Sequence, residues 1–504
     1  MTAPTPRRTA EWAIAAALGA LTVTGYAPFW LYPVPLLTFA GLFLLWQRAP
    51  DARAAAFTGF AFGLGWFAAG VSWIYVSLHT FGAMPAPLGG AVTLLFCAYL
   101  ALFPTATGWL ARRWALQPAA QWIFFVPAVM TLLEWLRGWL FTGFPWLNPG
   151  YSQVPDSPLA GYAPLLGVHG NTLLLLVTAG ALSVACTQAM RNRLRRWWAW
   201  PLAATLLWSG GAGLKTVAWT EPSGSHVTVS LLQGNIEQDM KWREHHLRST
   251  LETYLRMVRA SDARLIILPE TALPLFLRDV PAEYLEALAA HARRNNGDVL
   301  LGVPERLPQG DYYNSVVSLG SAKSQSYRKE HLVPFGEFIP LRPLLGAIVS
   351  QLAIPLQDFS RGGTAQQPLA VAGEQVAINI CYEDAFGEEI IRQLPQATLL
   401  VNVSNVAWFG RSIAPPQHLQ IAQMRALETG RYMLRATNTG VTAVIGPDGR
   451  VVAAAPEFTQ TTLSHRVPGM RGTTPFVRWG NLAALVLCVF AAGMAWRSRE
   501  QAGK

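Results

Sequence analysis

Long apolar runs alternate with short basic stretches over the first 215 residues of the chain. The hydrocarbon core of a bilayer is roughly 30 Å thick, so a helix crosses it with about 20 mostly apolar residues. Runs of that kind recur seven times before residue 215 and once more near the end of the chain. Their approximate bounds are 10–27, 31–47, 54–78, 86–111, 121–141, 167–190, 197–214 and 477–496. This pattern predicts a helical membrane domain with about eight transmembrane helices.

The fifth of these runs contains two charged residues, Glu134 and Arg137. Residues three apart lie on the same face of a helix. Charged side chains inside a membrane helix usually face the interior of the bundle or lie near the interface. We therefore expect Glu134 and Arg137 to form a structural ion pair near the end of the helix rather than a catalytic pair.

Basic clusters are placed regularly between the apolar runs. They are Arg7 with Arg8, Arg48 with Arg53, Arg112 with Arg113, the four arginines of 191–196, and Arg497, Arg499 and Lys504. With eight helices, every cluster lies on one side of the membrane. The positive-inside rule places that side, and both termini, in the cytoplasm. The loop 142–166 and the segment 215–476 then lie on the opposite side. No small-residue cleavage site follows the first run, so we do not expect a removable signal peptide.

Residues 220–470 have a different pattern, in which short β-rich runs alternate with polar helical stretches. The predicted strands are His226–Gln233, Arg264–Pro269, Asp298–Val303, Asn314–Leu319, Val376–Cys381, Thr398–Ser404 and Val441–Gly446. Helices are predicted at Ala282–Asn295 and Pro416–Arg431. Such alternation is typical of α/β and layered α+β domains. We therefore predict a membrane domain over 1–218, an extramembrane domain over 219–472, and a final transmembrane helix with its tail over 473–504.

Composition agrees with a membrane protein and excludes several other classes. Hydrophobic residues make up 52% of the chain and charged residues 13%, against roughly 25% charged in ordinary soluble domains. The net charge is +10, but the excess lies mostly in the small clusters between apolar runs. That arrangement indicates membrane topology and argues against nucleic-acid binding. The histidines show no ligand-like spacing, so neither a metal nor a cofactor is predicted.

Of the four cysteines, only Cys381 lies in the predicted extramembrane domain; Cys97, Cys186 and Cys488 lie in apolar runs. A lone cysteine is commonly a small buried residue, and that alternative stays open on its position alone. Cys381, however, ends a predicted strand and is followed at once by Tyr382 and Glu383. The end of a strand can present a nucleophile beside backbone N–H groups that stabilise an oxyanion.

Three further charged residues lie at strand ends or turns of the same domain. Glu270 ends the run L-I-I-L-P-E, Lys329 lies in Y-R-K-E-H-L, and Glu337 follows in P-F-G-E. Taken singly, Glu270 could cap a helix, Lys329 could be a solvated surface charge, and Glu337 could be a loop acid. Together with Cys381 they are candidate site residues, because all of them lie at strand ends or turns of one domain.

These blocks resemble the Glu-Lys-Cys triad of the nitrilase (carbon–nitrogen hydrolase) superfamily. The resemblance implies an α-β-β-α sandwich with Cys381 as nucleophile, Glu270 as general base and Lys329 as the cation that stabilises the thiolate and the oxyanion. It also implies that Glu337, Tyr382 and Glu383 support the site. Residues of this kind are what acyl transfer through a thioester requires.

A domain of this kind between a seventh and an eighth membrane helix resembles the apolipoprotein N-acyltransferase family of Gram-negative bacteria. Matching stretches are Gln233–Ile236 with Trp242, Tyr312–Ser315 and Gly143–Leu147. The resemblance implies a phospholipid acyl donor, typically phosphatidylethanolamine, and diacylglyceryl apolipoproteins as acceptors. It also implies an inner-membrane location with the catalytic domain in the periplasm. Trp242 and Trp146 are candidate substrate contacts, although Trp146 could instead anchor the chain at the bilayer interface.

Two other functions are compatible with parts of the sequence. A membrane-tethered amidase or nitrilase would use water on a soluble substrate, but one helix would be enough to tether it. A transporter or receptor would use the outer domain only to bind a ligand, but the three triad blocks and the sparse charge within the apolar runs argue against it.

Overall fold

A computed structural model of the chain describes residues 6–114, 116–190, 198–236, 244–339 and 358–502. The chain divides into two compact units. The first comprises Met1–Tyr75, Ala86–Val217 and Trp479–Lys504. The second comprises Val76–Pro85 and Ala218–Arg478.

The first unit is helical. Its helices are Pro6–Thr22 (α1), Pro33–Arg48 (α2), Ala52–Gly70 (α3), Ala86–Arg113 (α4), Pro118–Arg137 (α5, with a π-helical turn at Gln121–Phe125), Ala163–Met190 (α6), Ala199–Leu214 (α7) and the C-terminal helix Leu482–Ala502. Each of the eight predicted apolar runs overlaps one of them. Within the described residues, Ala86–Arg113, Pro118–Arg137 and Pro158–Met190 are long and apolar enough to cross a membrane, and Leu482–Ser498 is a shorter apolar helix. The protein is therefore a membrane protein, and the number of eight crossings stays a prediction.

Small residues allow α3 and α4 to approach closely. A Cβ atom on Gly59 would lie 2.3 Å from the carbonyl oxygen of Pro104, and one on Gly63 would lie 2.8 Å from the Cα of Ala101. Gly59 and Gly63 are four residues apart, so they share one face of α3. Small residues at such spacing are a common way for membrane helices to pack without side chains between them.

Glu134 and Arg137 form a buried ion pair, as the sequence predicted. The same guanidinium donates hydrogen bonds to the carbonyl oxygens of Phe144 and Trp146, the latter over 3.0 Å. The pair therefore holds the turn that follows α5 and has a structural role. The Trp146 side chain is 2% exposed, and its ring lies 5.1 Å from that of Trp73. It belongs to the interior of the helical unit.

The second unit contains two six-stranded sheets in its described residues. In chain order the strands are Thr220–Gln233 (β1), Leu265–Ile267 (β2), Asp298–Arg306 (β3), Tyr312–Gly320 (β4), Ser326–Arg328 (β5), Leu369–Val371 (β6), Glu374–Ile380 (β7), Leu399–Ser404 (β8), Met433–Thr437 (β9), Ala443–Ile445 (β10), Val451–Ala454 (β11) and Thr461–Gly472 (β12). One sheet has the order β12-β1-β2-β3-β4-β5, and the other has the order β11-β10-β9-β8-β7-β6. The central pairs β1–β2, β2–β3, β7–β8 and β8–β9 are parallel.

Alternating side chains of both sheets form one apolar cluster, which includes Val229, Ile267, Ile378 and Val401. The residues between them point to the opposite faces, as the two-residue period of a strand requires. There the first sheet packs against Glu244–Arg259 (α8) and Ala282–Arg294 (α9). The second sheet packs against Gly387–Ile390 (α10) and Ala414–Thr429 (α11). A short helix, Pro475–Trp479 (α12), follows β12.

The segment Val76–Pro85 lies in the second unit although it joins α3 to α4 in the chain. The predicted third run continued to residue 78, but α3 ends at Gly70, whose carbonyl accepts a hydrogen bond from the indole of Trp73. The hydroxyl of Ser77 donates to the carbonyl oxygen of Trp408 over 2.8 Å. The ring of Phe81 meets the Trp408 ring edge to face, with centroids 6.2 Å apart.

Candidate active site

Glu270 follows β2 and is held on both carboxylate oxygens. Its Oε1 accepts hydrogen bonds from Nδ2 of Asn314 over 2.7 Å and from Nζ of Lys329 over 3.5 Å. Its Oε2 accepts a bond of 2.8 Å from the backbone N–H of Asn405, which follows β8. The side chain is largely buried. A carboxylate with donors on both oxygens has its orientation fixed before substrate binds.

Lys329 follows β5 and is 1% exposed. Its ammonium lies 2.9 Å from Oε1 of Glu337, whose other oxygen accepts from the backbone N–H of Val333 over 2.8 Å. Burial lowers the pKa of Lys329, but the carboxylates of Glu337 and Glu270 together raise it by more. The pKa therefore lies above that of an ordinary lysine, and the side chain is a permanent cation in the site. Glu337 contacts this cation, and its supporting role in the site stays a prediction.

Asn314 is a site residue that the sequence motifs did not single out. It lies on β4, and its Nδ2 donates both to Glu270 and to Oε1 of Glu337 over 3.2 Å. Its backbone carbonyl accepts from the N–H of Lys329 over 2.8 Å. Asn314 therefore contacts three members of the charged cluster. The stretch Tyr312–Ser315 matches the family, but nothing in its spacing indicates which residue reaches the site.

Cys381 lies directly after β7 with a backbone φ of +54°. Burial raises the pKa of its thiol, and the negative charge of Glu270 raises it further, while Lys329 lowers it. The net direction is upward. Lys329 therefore acts on the thiol in the predicted direction, but burial and the carboxylates outweigh it. The role of Cys381 as nucleophile stays a prediction.

Glu383 connects the cysteine turn to the strand that precedes Lys329. Its carboxylate accepts from the backbone N–H groups of Ile380 over 2.6 Å and of Glu330 over 2.7 Å. The hydroxyl of Tyr327 donates to it as well, over 3.1 Å. Burial raises the pKa of Glu383 to about 7, against the opposing effect of these backbone donors and of Lys329. The adjacent Tyr382 is buried, and its ring packs on Phe386 with centroids 5.1 Å apart.

The sequence also predicted substrate contacts by two tryptophans. Trp242 lies outside the described residues, and Trp146 is buried in the helical unit, so substrate contact by either residue stays a prediction. Among the residues with described positions, no group of three or more His, Cys, Asp or Glu side chains is arranged to hold a metal ion.

Comparison with known proteins gives the family of the chain. Residues 228–475 match the carbon-nitrogen hydrolase family model, and the sheets with their Glu–Lys–Cys cluster define a protein of that class. Residues 18–181 match the apolipoprotein N-acyltransferase N-terminal domain. The chain is 55% identical to the apolipoprotein N-acyltransferase of Nitrosomonas europaea over 95% of both chains. It is 47% identical to that of Chromobacterium violaceum over 99% of this chain and 97% of the relative. The chain belongs to the apolipoprotein N-acyltransferase family.

Proposed function

We propose that this protein is an N-acyltransferase that moves an acyl chain from a phospholipid to the N-terminal amine of diacylglyceryl-cysteine in apolipoproteins. This is the last step in the maturation of the lipoprotein. The observation that carries the proposal is the buried cluster of Glu270, Lys329 and Glu337, electrostatically coupled to Cys381, in a chain whose other unit consists of apolar helices.

In the first half-reaction Glu270 takes the proton of the Cys381 thiol. The thiolate then attacks the ester carbonyl of the phospholipid, and the carbonyl π electrons move to the oxygen. Lys329 and the backbone N–H of Tyr382 stabilise the resulting oxyanion. When it collapses, the ester C–O bond breaks, and Glu270 returns its proton to the departing lysophospholipid oxygen. The acyl group is left as a thioester on Cys381.

In the second half-reaction the α-amine of the acceptor attacks the thioester carbonyl. Glu270 takes a proton from the amine as the C–N bond forms. The C–S bond then breaks, and the sulfur regains its proton from Glu270, so the enzyme returns to its resting state. Because lysophospholipid leaves before the acceptor reacts, turnover is ping-pong.

Membrane helices suit a reaction in which both substrates are anchored in a bilayer. We infer eight transmembrane helices in the inner membrane, both termini in the cytoplasm, and an α-β-β-α catalytic domain over 219–472 in the periplasm. The basic clusters between apolar runs support this orientation, and the apolar cluster shared by the two sheets supports the sandwich. Phosphatidylethanolamine as donor follows from the family resemblance, and Trp242 is a lipid contact in this proposal.

Mass spectrometry of the purified protein tests the chemistry. Incubation with phosphatidylethanolamine should add an acyl mass to Cys381, and a diacylglyceryl-cysteine peptide should then remove it and become N-acylated. Cys381→Ala should show neither step, whereas Cys381→Ser should fold and react very slowly, because a hydroxyl ionises far less readily than a thiol. An enzyme that releases free fatty acid with or without the peptide, or that hydrolyses soluble amides, would instead be the tethered amidase.

Reporter fusions test the orientation separately. A reporter active only in the cytoplasm should work when fused after Lys504 and fail when fused near Ser223. The reverse pattern would contradict the eight-helix topology. Trp242→Ala should weaken transfer without unfolding the protein, and wild-type turnover would show that this residue is not a lipid contact.

A further inference from the structure

A buried polar network contacts the backbone carbonyl of Cys381. Its members Asp384, Asn402, His418 and Arg435 are each no more than 1% exposed. They come from the turn after Cys381, from β8, from α11 and from β9. The catalytic scheme uses none of them. Burying an ionised aspartate and arginine is costly unless each is well paired, so the network needs an explanation.

Two members of the network hold the backbone carbonyl of Cys381. Nδ2 of Asn402 donates to this oxygen over 3.1 Å. Nε2 of His418 lies 3.2 Å from it and 2.7 Å from Oδ1 of Asp384. Both of these neighbours are acceptors, so Nε2 carries the hydrogen. Burial and the charge of Arg435 lower the pKa of His418, which makes the neutral imidazole with hydrogen on Nε2 the resting form.

The orientations of the two donors are fixed in turn. Oδ1 of Asn402 accepts from Arg435 over 2.7 Å and from the hydroxyl of Ser404 over 2.6 Å. The Asn402 amide therefore presents its NH₂ group to Cys381. Arg435 also donates to Oδ2 of Asp384 over 2.9 Å, which leaves Oδ1 facing His418. Each of these hydrogen bonds therefore has a defined direction.

The consequence lies in the peptide bond that joins Cys381 to Tyr382. A peptide group is planar, and its C=O and N–H point in opposite directions. Donors that fix the Cys381 carbonyl therefore also fix the Tyr382 N–H, which the reaction scheme uses on the oxyanion. A residue other than glycine resists a φ of +54°, so this turn persists only where its surroundings hold it. Hydrogen bonds on the carbonyl also polarise the N–H of the same peptide group.

The ion pair adds an electrostatic effect on the sulfur. The pair lies close to Cys381, because Asp384 and the Cys381 carbonyl share the Nε2 donor of His418. Arg435 bonds both Asp384 and the Asn402 amide that donates to the same carbonyl. At that position the Asp384 carboxylate acts against thiolate formation, whereas Arg435 favours it. Among the described residues, the other charged groups that interact with the thiol include Glu270, Lys329 and Glu337. Without Arg435 the surroundings of Cys381 would be more negative, and its thiolate would be less favoured.

We propose that Asn402, His418 and the Asp384–Arg435 ion pair form a positioning network that aims the Tyr382 N–H at the oxyanion, and that Arg435 offsets the effect of the Asp384 carboxylate on the Cys381 thiol. The oxyanion part rests on the proposed function. The charge part concerns Cys381 alone and is measurable without any lipid.

The charge part predicts changes of opposite sign in the alkylation of Cys381 by iodoacetamide. At a pH below the thiol pKa the alkylation rate follows the thiolate fraction, so a tenfold change in the acid dissociation constant of the thiol changes the rate about tenfold. Arg435→Met should slow alkylation by roughly threefold to tenfold, and Asp384→Asn should accelerate it by a similar factor. The double variant should lie near the wild type. Two single variants that change the rate in the same direction, or a double variant further from wild type than either, would overturn the proposal.

The oxyanion part predicts rescue by the correct donor. His418→Phe removes the hydrogen-bond donor and should slow acylation by phospholipid roughly 10- to 100-fold, somewhat less than loss of an oxyanion donor itself. His418→Gln can place an N–H near the position of Nε2 and should recover most of the rate. Alkylation should change little in either variant, because His418 is neutral.

A second buried histidine provides a matched control for the loss of packing. His291→Phe, at another buried histidine on α9, controls for lost packing and should acylate near the wild-type rate. Equal acylation rates in His418→Phe and His418→Gln would refute the role of the histidine. A wild-type enzyme that never forms the acyl-enzyme would refute the proposed function and leave the alkylation result standing.

Discussion

The carboxylate of Glu270 accepts a hydrogen bond of 2.8 Å from the backbone N–H of Asn405, and the two residues follow strands of different sheets. The proposed general base is therefore held across the interface between the sheets. A backbone donor is not removed by changing the Asn405 side chain, so this bond depends on how the sheets pack. The remaining oxygen of Glu270 depends on side chains, and those can be tested one at a time.

Glu270→Gln should separate thiolate formation from turnover. Loss of the negative charge removes a cause of the raised thiol pKa, so alkylation of Cys381 should become faster at a given pH. Acyl transfer should nevertheless fall by about 10²–10⁴-fold, because the general base is lost. Iodoacetamide kinetics and acyl-enzyme mass measure the two effects. Glu286→Gln, at an exposed acid on α9, should change neither. Slower alkylation in Glu270→Gln would show that the two groups are not coupled as described.

Lys329→Met should slow both reactions. The cation is the group that lowers the thiol pKa, so its removal raises the pKa and moves the alkylation profile to higher pH. Acylation should also slow because an oxyanion partner is lost. Lys323→Met, which removes an exposed lysine from the same unit, is the matched control. An alkylation profile of Lys329→Met that overlays the wild type would place the lysine too far from the sulfur to act on it.

Asn314→Ala should reduce activity without large changes in alkylation. The amide donates to two carboxylates, and removing a partner from a buried charged group costs roughly 1–3 kcal/mol or more. We expect Glu270 to lose its orientation and acylation to fall by about fivefold or more, which corresponds to the lower end of that range. Asn314→Asp adds a carboxylate to the cluster and should in addition slow alkylation. If both variants acylate at the wild-type rate, the amide does not orient Glu270.

Glu383 should make the catalytic unit less stable as the pH rises from about 4.5 to about 7. Its pKa is raised in the folded state from 4.5 to about 7, so the folded protein binds this proton more tightly than the unfolded chain. The stabilisation is complete below about pH 4.5, is lost progressively up to about pH 7, and amounts to a few kcal/mol. Thermal unfolding of the purified protein between pH 4.5 and 8 measures it. Glu383→Gln should flatten the slope in this window, whereas Glu388→Gln at an exposed neighbour should retain it.

The sequence predicted the catalytic strands better than their arrangement. The strands whose runs are long and apolar, such as Asp298–Arg306 and Leu399–Ser404, were found within a few residues. Short or half-polar strands, such as Ser326–Arg328 and Thr461–Gly472, were missed. Thr461–Gly472 is mostly polar, with Leu463, Val467 and Met470 as its large apolar residues, so it has no regular strand pattern. It pairs with β1 over long range, and a pairing partner more than 200 residues away leaves no local signal.

The residues of the site also fall into a group that the sequence predicted and a group that it did not. Glu270, Lys329, Glu337 and Cys381 each lie in a short block whose residue types point to chemistry. Asn314, Asn402, His418 and Arg435 reach the site because strands and helices from distant parts of the chain meet there. Asn402 and Arg435 lie in runs that look like ordinary core strands, so only the register of the sheet reveals which side chains point toward the cysteine.

The segment Val76–Pro85 belongs to the same compact unit as Ala218–Arg478, although more than 100 residues separate the two ranges in the chain. A recombinant fragment that begins at Ala218 would lack this segment, leaving the Trp408 ring without its Phe81 neighbour and the Trp408 carbonyl without the Ser77 hydroxyl. Trp408 is three residues from Asn405, whose N–H donates to Glu270, the proposed general base. A fragment cut at residue 218 should therefore hold Glu270 less firmly. A soluble version of the catalytic unit would need residues 76–85 joined to it by a linker.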